Sequence, residues 1–434
     1  MGLVGDVFRG TLRTAGLVCV AFGAHAETLE DAWRAALADN PSVRAAESLG
    51  DAAGAELEAA RAQRRPTVAA TTSVSRWRDT PAFDFGAIGV PATLPLFPGD
   101  SLTVGTAQVS MPIYTAGLIK SNVAAATASV TARERSTATL VEDVKLAVAA
   151  AYVDVLRAAS ALATAEATAA SLAAHARDVA VMERNGQVPR NDGLAAAVSL
   201  ADAEQHRLQA QNTLDIARAA YNRRLGRELS APVDLDPEVR SLEPVATRAI
   251  EDLLAPALAT RAELAGLDAV AAGYEAQAAA KRAERLPQLT LSGGYTYLEN
   301  SVLDREDFWS IGVGLRWNLF DAGRTSSASA ALAQRSSAAK HERDDLRASI
   351  ELDVRRAWLT LGETRARVGV AEQAIAQADE NLRVVNDRYR NGEGTNTEVL
   401  DAETLRSQSR RNLDDSRYEA IIAELALARA VGVL

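Results

Sequence analysis

The feature that most constrains this chain is an internal duplication held at a constant spacing. Met111-Pro112-Ile113-Tyr114-Thr115-Ala116-Gly117 returns as Trp317-Asn318-Leu319-Phe320-Asp321-Ala322-Gly323, a rise of 206 in residue number (from 111 to 317). The same rise carries Arg184-Asn185-Gly186 onto Arg390-Asn391-Gly392, Tyr152 onto Trp358, Asp192 onto Glu398 and Gly226 onto Gly432. Chance matches would not share one register, so the chain reads as one supersecondary unit used twice. Upstream the rise becomes 221, from Ala36-Leu37 to Ala257-Leu258 and from Pro66 to Pro287. The change of spacing places an insertion on Thr80 to Asp100, where Pro81, Pro91, Pro95 and Pro98 predict an exposed loop.

Each unit reads as helix, two strands, very long helix, turn, helix, with the first unit at residues 27–240 and the second at 241–434. From Leu118 to Asn185 there is neither Gly nor Pro, and Val144, Val148, Tyr152 and Val155 recur at helical spacing. Ile350, Val354, Trp358 and Leu361 repeat that stripe in the second unit. A helix of roughly 65 residues spans about 100 Å and cannot be buried in a globule. Shorter helices are expected at about Leu29 to Arg61, Arg190 to Leu225, Ala246 to Glu284 and Thr397 to Val431. If Arg190–Leu225 stacks end to end on Ala246–Glu284, and Thr397–Val431 on Leu29–Arg61, each chain offers four helical columns. Abundant alanine and only 5% aromatic residues suit such close helix contact.

The strands alternate. Leu289, Leu291, Tyr295 and Tyr297 interleave with Gln288, Thr290, Ser292 and Thr296. Trp309, Ile311, Val313, Leu315, Trp317 and Leu319 interleave with Ser310, Gly312, Gly314, Arg316 and Asn318. One greasy face and one polar face fit strands lying between lipid and a wet lumen, with Tyr295, Tyr297, Trp309 and Trp317 as interfacial aromatics. The same pattern also fits a half-buried hairpin of a soluble sandwich. Thr67 to Trp77 and Leu102 to Ile113 are assigned as strands by the repeat.

Residues 1–26 read as a cleavable leader: Arg9 and Arg13, an apolar core from Ala15 to Phe22, then Ala24-His25-Ala26. Cys19, the only cysteine, lies within it, and Gly16-Leu17-Val18 does not place Leu where a lipoprotein signal would. The mature chain therefore has no disulfide and no cysteine metal site or nucleophile. No run of 18 or more apolar residues follows, so a closed β-barrel is the expected way into a membrane.

A net charge of -10 argues against nucleic acid as a partner. His175, His206 and His341 are far apart and read as surface residues, Asp344-Asp345 as a solvated helix face, and Gly312-x-Gly314 sits inside a strand rather than opening a helix. No enzymatic activity and no cofactor are expected. With Met111 and Met182 as the only methionines after the leader, the chain is poorly suited to soft metals such as copper.

The ordered recurrence of these features, with Asn40-Pro41, Leu286-Pro287, Asn318-Leu319-Phe320-Asp321-Ala322-Gly323 and the terminal Val431-Gly432, resembles the TolC-like outer-membrane efflux family over essentially the whole mature chain. The resemblance implies a mainly α homotrimer whose four strands per chain build a twelve-stranded transmembrane β-barrel, continued into the periplasm by an α-helical barrel. It also implies a passive exit duct for efflux or type I secretion, in outer-membrane lipid, served by an inner-membrane pump of the RND or ABC type and a periplasmic membrane-fusion adaptor. The tips Gly186-Gln187-Val188 and Gly392-Glu393-Gly394 match the adaptor-docking turns. Asp192, Glu398 and Asp401 match acids that constrict the lumen, and Tyr389 a residue that holds the gate. Gly394 replaces the basic gate partner of the family. The first turn of a helix favours carboxylates anyway, which leaves a capping role open for these acids. A periplasmic helical adaptor or scaffold is the alternative class; it would not need the two strand pairs.

Overall fold

The computed structural model describes residues 26–95, 99–239, 247–299 and 304–434. Most of the expected leader with Cys19, and the expected boundary between the units at residues 240 and 241, lie outside the described residues. In chain order the elements are α1 (Leu29–Asp39), α2 (Pro41–Ala62), β1 (Thr67–Arg76), β2 (Ala82–Asp84), β3 (Thr93–Pro95), β4 (Ser101–Tyr114), α3 (Leu118–Arg184) and α4 (Arg190–Leu225). There follow α5 (Glu251–Thr260), α6 (Ala262–Ala283), β5 (Gln288–Leu298), β6 (Asp307–Arg316), α7 (Arg324–Arg390) and α8 (Asn396–Val431).

The two long helices have 67 residues each and start and stop on matched devices. Each begins after a left-handed pair, Ala116-Gly117 and Ala322-Gly323, and ends before a left-handed glycine, Gly186 and Gly392. Such backbone is costly for most side chains, and alanine's lone methyl limits the cost at 116 and 322. In the second unit Asp321 accepts from the Gly323 and Thr325 amides, both at 3.0 Å, and the Thr325 hydroxyl, together with these amides, holds its carboxyl below the usual aspartate range.

The sheet is antiparallel in the order β1-β4-β5-β6, with its two end strands unpaired on their outer edges. Its register aligns the apolar residues in rows: Val68 with Val109, Val109 with Gly293 and Gly293 with Ile311, then Ala70, Ala107, Tyr295 and Trp309. Ser and Thr predominate on the other face, which also carries Gln108 and Phe308, and Thr71 and Thr106 share a hydroxyl hydrogen bond of 2.6 Å there. Strand β6 ends at Arg316, before the expected Leu319, so Trp317 stands just beyond it and donates from its indole to Arg285 O at 3.1 Å. The segment expected as a loop contains the small β2–β3 hairpin.

The structure revises four expectations. Two of the shorter helices are interrupted. The first breaks at Asn40, because Pro41 disfavours helical backbone before it and Asn40 caps the Ser42 amide at 2.8 Å. The second breaks at Arg261, the equivalent position, without a proline; the Arg261 guanidinium instead reaches Ala430 O at 3.3 Å.

The end-to-end pairing also differs. Gly226, which ends α4, lies against Asp39 of the first unit, and Gly432, which ends α8, lies against Thr260 and Arg261 of the second. Stacking therefore occurs within each unit, α4 on α2 and α8 on α6. The lateral order is α2-α3-α6-α7 near the sheet and α4-α3-α8-α7 near the turns.

His175 is buried, not on the surface. Finally, α3 does contain an 18-residue window of mean hydropathy 1.6, long and apolar enough by composition to cross a membrane. Its stripe has another use: Val148, Tyr152 and Val155 pack with Leu29, Leu214, Tyr221 and Leu225 in the largest core cluster. A second cluster joins Leu253, Ile350, Val354, Leu361 and Leu427. Each such side chain contributes about 1.5–3 kcal/mol of burial, which is how thin columns of helix hold together.

Candidate functional site: the turns of the two helical hairpins

Both hairpins turn through the same hydrogen-bond geometry. After α3, the Gly186 amide donates to Glu183 O and the Gln187 amide to Met182 O, both at 2.9 Å. After α7, the Gly392 amide donates to Tyr389 O at 3.0 Å and the Glu393 amide to Arg388 O at 2.9 Å. These bonds satisfy the last helical carbonyls, and the left-handed glycines make them possible. Gln187, Glu393 and both glycines are exposed; Val188 is half-buried against the cluster of Val179, Leu382, Val385, Tyr389 and Val399.

The acids sit at equivalent places on the return helices. Asp192 and Glu398 each occupy the third position, where a carboxylate faces the positive helix end. Thr395 caps α8 by accepting from the Glu398 amide at 3.3 Å, whereas Pro189 leaves α4 without a side-chain cap. Glu398 lies 3.5 Å from Arg388 of α7, and the same guanidinium donates to Glu393 O at 3.0 Å. No hydrogen bond reaches the buried Glu398 Oε2, so this is an ion pair and not a tight bidentate link. Asp401 is exposed one turn further on.

Gly394 is close-packed: an added Cβ would stand 3.1 Å from the Tyr389 amide nitrogen and 3.4 Å from Glu398 Oε2. The Arg388 side chain, whose Cβ lies 3.4 Å from the same added Cβ, borders Gly394 as well as Glu398.

Tyr389 is buried with its hydroxyl unpaired, and burial, with the charge of Asp192, pushes that hydroxyl's pKa up. Its ring lies 5.5 Å from His175. His175 Nε2 meets Asn396 Oδ1 at 2.7 Å, and Asn396 Nδ2 donates to Asp192 O at 3.2 Å, joining the two hairpins through buried polar groups. Sequence reasoning placed His175 on the surface and did not single out Asn396; the one signal it held was a histidine inside a long Gly-free helix. Among the described residues no group of three or more His, Cys, Asp or Glu is arranged to hold a metal ion.

At the other end, Tyr295 and Trp309 pair across strands with ring centroids 5.2 Å apart. Trp309, Ile311, Val313 and Leu315 are all well exposed on β6. Tyr297 continues the Tyr295 face one pair further along β5.

An apolar-faced sheet with free edges, set on helices too long for a globule, defines the wall of a membrane duct. The chain belongs to the outer membrane efflux protein family, whose profile matches residues 33–227 and 253–433. It is similar to TolC of Vibrio cholerae, with 28% identity over 308 residues, 67% of each chain. It is similar to the outer membrane efflux protein BepC of Brucella suis, with 25% identity over 423 residues, 96% of this chain and 88% of that one. The solved structure of VceC from Vibrio cholerae superposes with a TM-score of 0.79 at 20% identity, covering 93% of this chain and 96% of that one. The protein is accordingly an outer-membrane channel of efflux or secretion, with its helices in the periplasm, and the adaptor or scaffold class is set aside.

Proposed function

We propose that this chain is one protomer of a homotrimeric exit duct, passive and without catalysis, fed by an inner-membrane pump through a periplasmic adaptor. The observation that carries closure by further copies is the alignment of open edges, and the family to which the chain belongs supports three of them. β1, α2 and α4 lie along one side of the chain, and β6 and α7 along the other. A four-stranded sheet in lipid leaves unpaired amides and carbonyls at both edges, each costing several kcal/mol, so closure by further copies is required. Three copies close an even, twelve-stranded barrel.

In this reading the turns at Gly186-Gln187-Val188 and Gly392-Glu393-Gly394 dock the adaptor. Tyr295, Tyr297, Trp309 and Trp317 sit at the lipid interfaces. Asp192, Glu398 and Asp401 face the narrow end of the lumen, with Tyr389 holding the hairpins shut. Three copies bring six carboxylates from Glu398 and Asp401 to one mouth, and Arg388 offsets part of the Glu398 charge. A ring of this kind concentrates cations and binds multivalent ones best.

Single-channel recording in planar bilayers tests it. Glu398→Gln with Asp401→Asn is expected to lower cation selectivity and weaken block by trivalent cations. Unchanged selectivity and block in a correctly assembled double variant would remove the lumen assignment and leave helix capping as the role of these acids.

A further inference from the structure

Within one chain, the seam between the two hairpins is α3 against α8, and it is crossed by three buried polar rungs. Ser160 donates to Asp414 at 2.7 Å, Ser171 to Glu403, and His175 meets Asn396 at 2.7 Å. Asp414, Glu403 and Asn396 are all buried, at 9%, 3% and 3% exposure. The rungs run antiparallel: as the α3 number rises from 160 to 171, the α8 number falls by the same eleven, from 414 to 403.

The internal repeat maps this seam onto residues that one chain leaves uncovered. Adding 206 to the α3 members gives Ala366, Gln377 and Asn381 on α7; subtracting it from the α8 members gives Leu208, Ala197 and Arg190 on α4. All six are exposed, and α7 and α4 are the two outer edges of the chain. Leu208 stands in an apolar row on α4 with Leu194, Val198 and Ile216, each at least 59% exposed, a row with nothing on it in the single chain. A second copy supplies a matching cover, because the duplicated unit already shows how an α3-type helix seats on an α8-type helix.

We infer that the seam between copies is α7 of one chain against α4 of the next, in the register 366 with 208, 377 with 197 and 381 with 190. The ring then alternates two chemically unlike seams. The seam inside each chain is tied by carboxylate, hydroxyl and imidazole rungs. The seam between chains has none of these carboxylates and is apolar at Leu208 and Ala366. This rests on the trimeric reading above and adds the contact register and its chemistry.

Cysteine pairs test the register, with Cys19→Ser removing the chain's own thiol. Leu208→Cys with Ala366→Cys, and Ala197→Cys with Gln377→Cys, are expected to give covalent trimers with a short bis-maleimide reagent. The control Leu208→Cys with Gln377→Cys is about 16 Å out of register along the helix and should not cross-link. A grafted rung tests the chemistry: Leu208→Asp alone should lose most of the trimer, and adding Ala366→Ser, which recreates the Ser160–Asp414 bond between chains, should restore it. A trimer by mass that fails to cross-link at the matched pairs, or links equally at the control pair, overturns the register while the trimer stands. A folded monomer would overturn the trimeric reading itself.

Discussion

The two repeats use one backbone and two chemistries at the junction where the return helix meets the interrupted helix. In the first unit the junction is tyrosine-rich. The Tyr152 hydroxyl lies 2.7 Å from both Glu27 O and Asp236 O, its ring packs edge-on to Tyr221 at 6.0 Å, and Arg227 makes a bidentate pair with Glu27 at 2.7 and 2.9 Å. In the second unit the same positions hold Trp358 and Leu427, and ions make the junction. The buried Arg429 contacts Asp143 at 2.8 Å, Glu263 at 2.9 Å and Glu142 at 3.2 Å, and Arg261 also pairs with Glu263 at 2.9 Å. Duplication preserved what the backbone needs, a left-handed glycine stop and an extended break, and left the side chains to diverge. The ionic version is the less forgiving, because removing the buried Arg429 leaves the largely buried Glu263 and Glu142 without its charge, while Asp143 is open to water.

The largest expected effect exploits that contrast. Arg429→Met should cost about 3 kcal/mol in denaturant unfolding followed by circular dichroism. Its repeat equivalent, Arg223, is exposed, and Arg223→Met should stay within about 0.5 kcal/mol of the parent. Equal losses would mean that the two junctions do not differ as described.

The same cluster predicts an acid response. Burial pushes the Glu263 carboxyl up, but its bonds from Arg261 and Arg429 outweigh this and hold it below its ordinary 4.5. A lowered folded pKa gives stability that is present above the unfolded value and lost as pH falls through the folded one. Glu142 acts in the opposite sense: burial raises its pKa despite Arg429, so its contribution is present at low pH and lost as pH rises. Arg429→Met should therefore shrink the stability lost as pH falls below about 4.5, a change Arg223→Met should not produce. An undiminished loss would put the acid response elsewhere.

A smaller effect separates the two glycine stops. Both Gly226 and Gly432 are left-handed, at φ 73° and 77°, so alanine costs about 1 kcal/mol at either. At 432 the new methyl would also stand 2.8 Å from Thr260 Oγ1, whereas at 226 the nearest atom is Asp39 O at 3.6 Å. Gly432→Ala should be the more destabilising in the same unfolding assay, and the reverse order would contradict the packing at these junctions. The smallest effect carries the first unit's proline into the second. Arg261 already has the extended backbone that precedes proline, so Ala262→Pro should be neutral or stabilise by about 0.5 kcal/mol. A clear loss would show that the second break differs in backbone as well as in side chains.

The long helices were legible because their limits are written in residues with strong backbone preferences. The Gly-free and Pro-free run from Leu118 predicted the observed start of α3 and its end to within one residue. Strand alternation gave β5 and β6 for the same reason, since one residue of slip would put Trp309 and Ile311 on the polar face. The break at Arg261 was hidden because no local residue imposes it; it is held by contacts to Ala430 and Val431, far away in sequence. The stacking partners of α4 and α8 were misassigned because helix lengths alone allow either pairing. At the turns, the glycines and acids could be placed from the repeat, but the Arg388–Glu398 pair and the His175–Asn396 bond depend on how helices face one another, which periodicity does not state.

If one chain is a third of a closed duct, the mass of the detergent-solubilised full chain will show it. Light scattering corrected for bound detergent should give three copies per particle, with the helical circular dichroism of a folded protein. A well-folded particle of one chain would contradict the account, because its sheet would then carry two unpaired edges in the membrane.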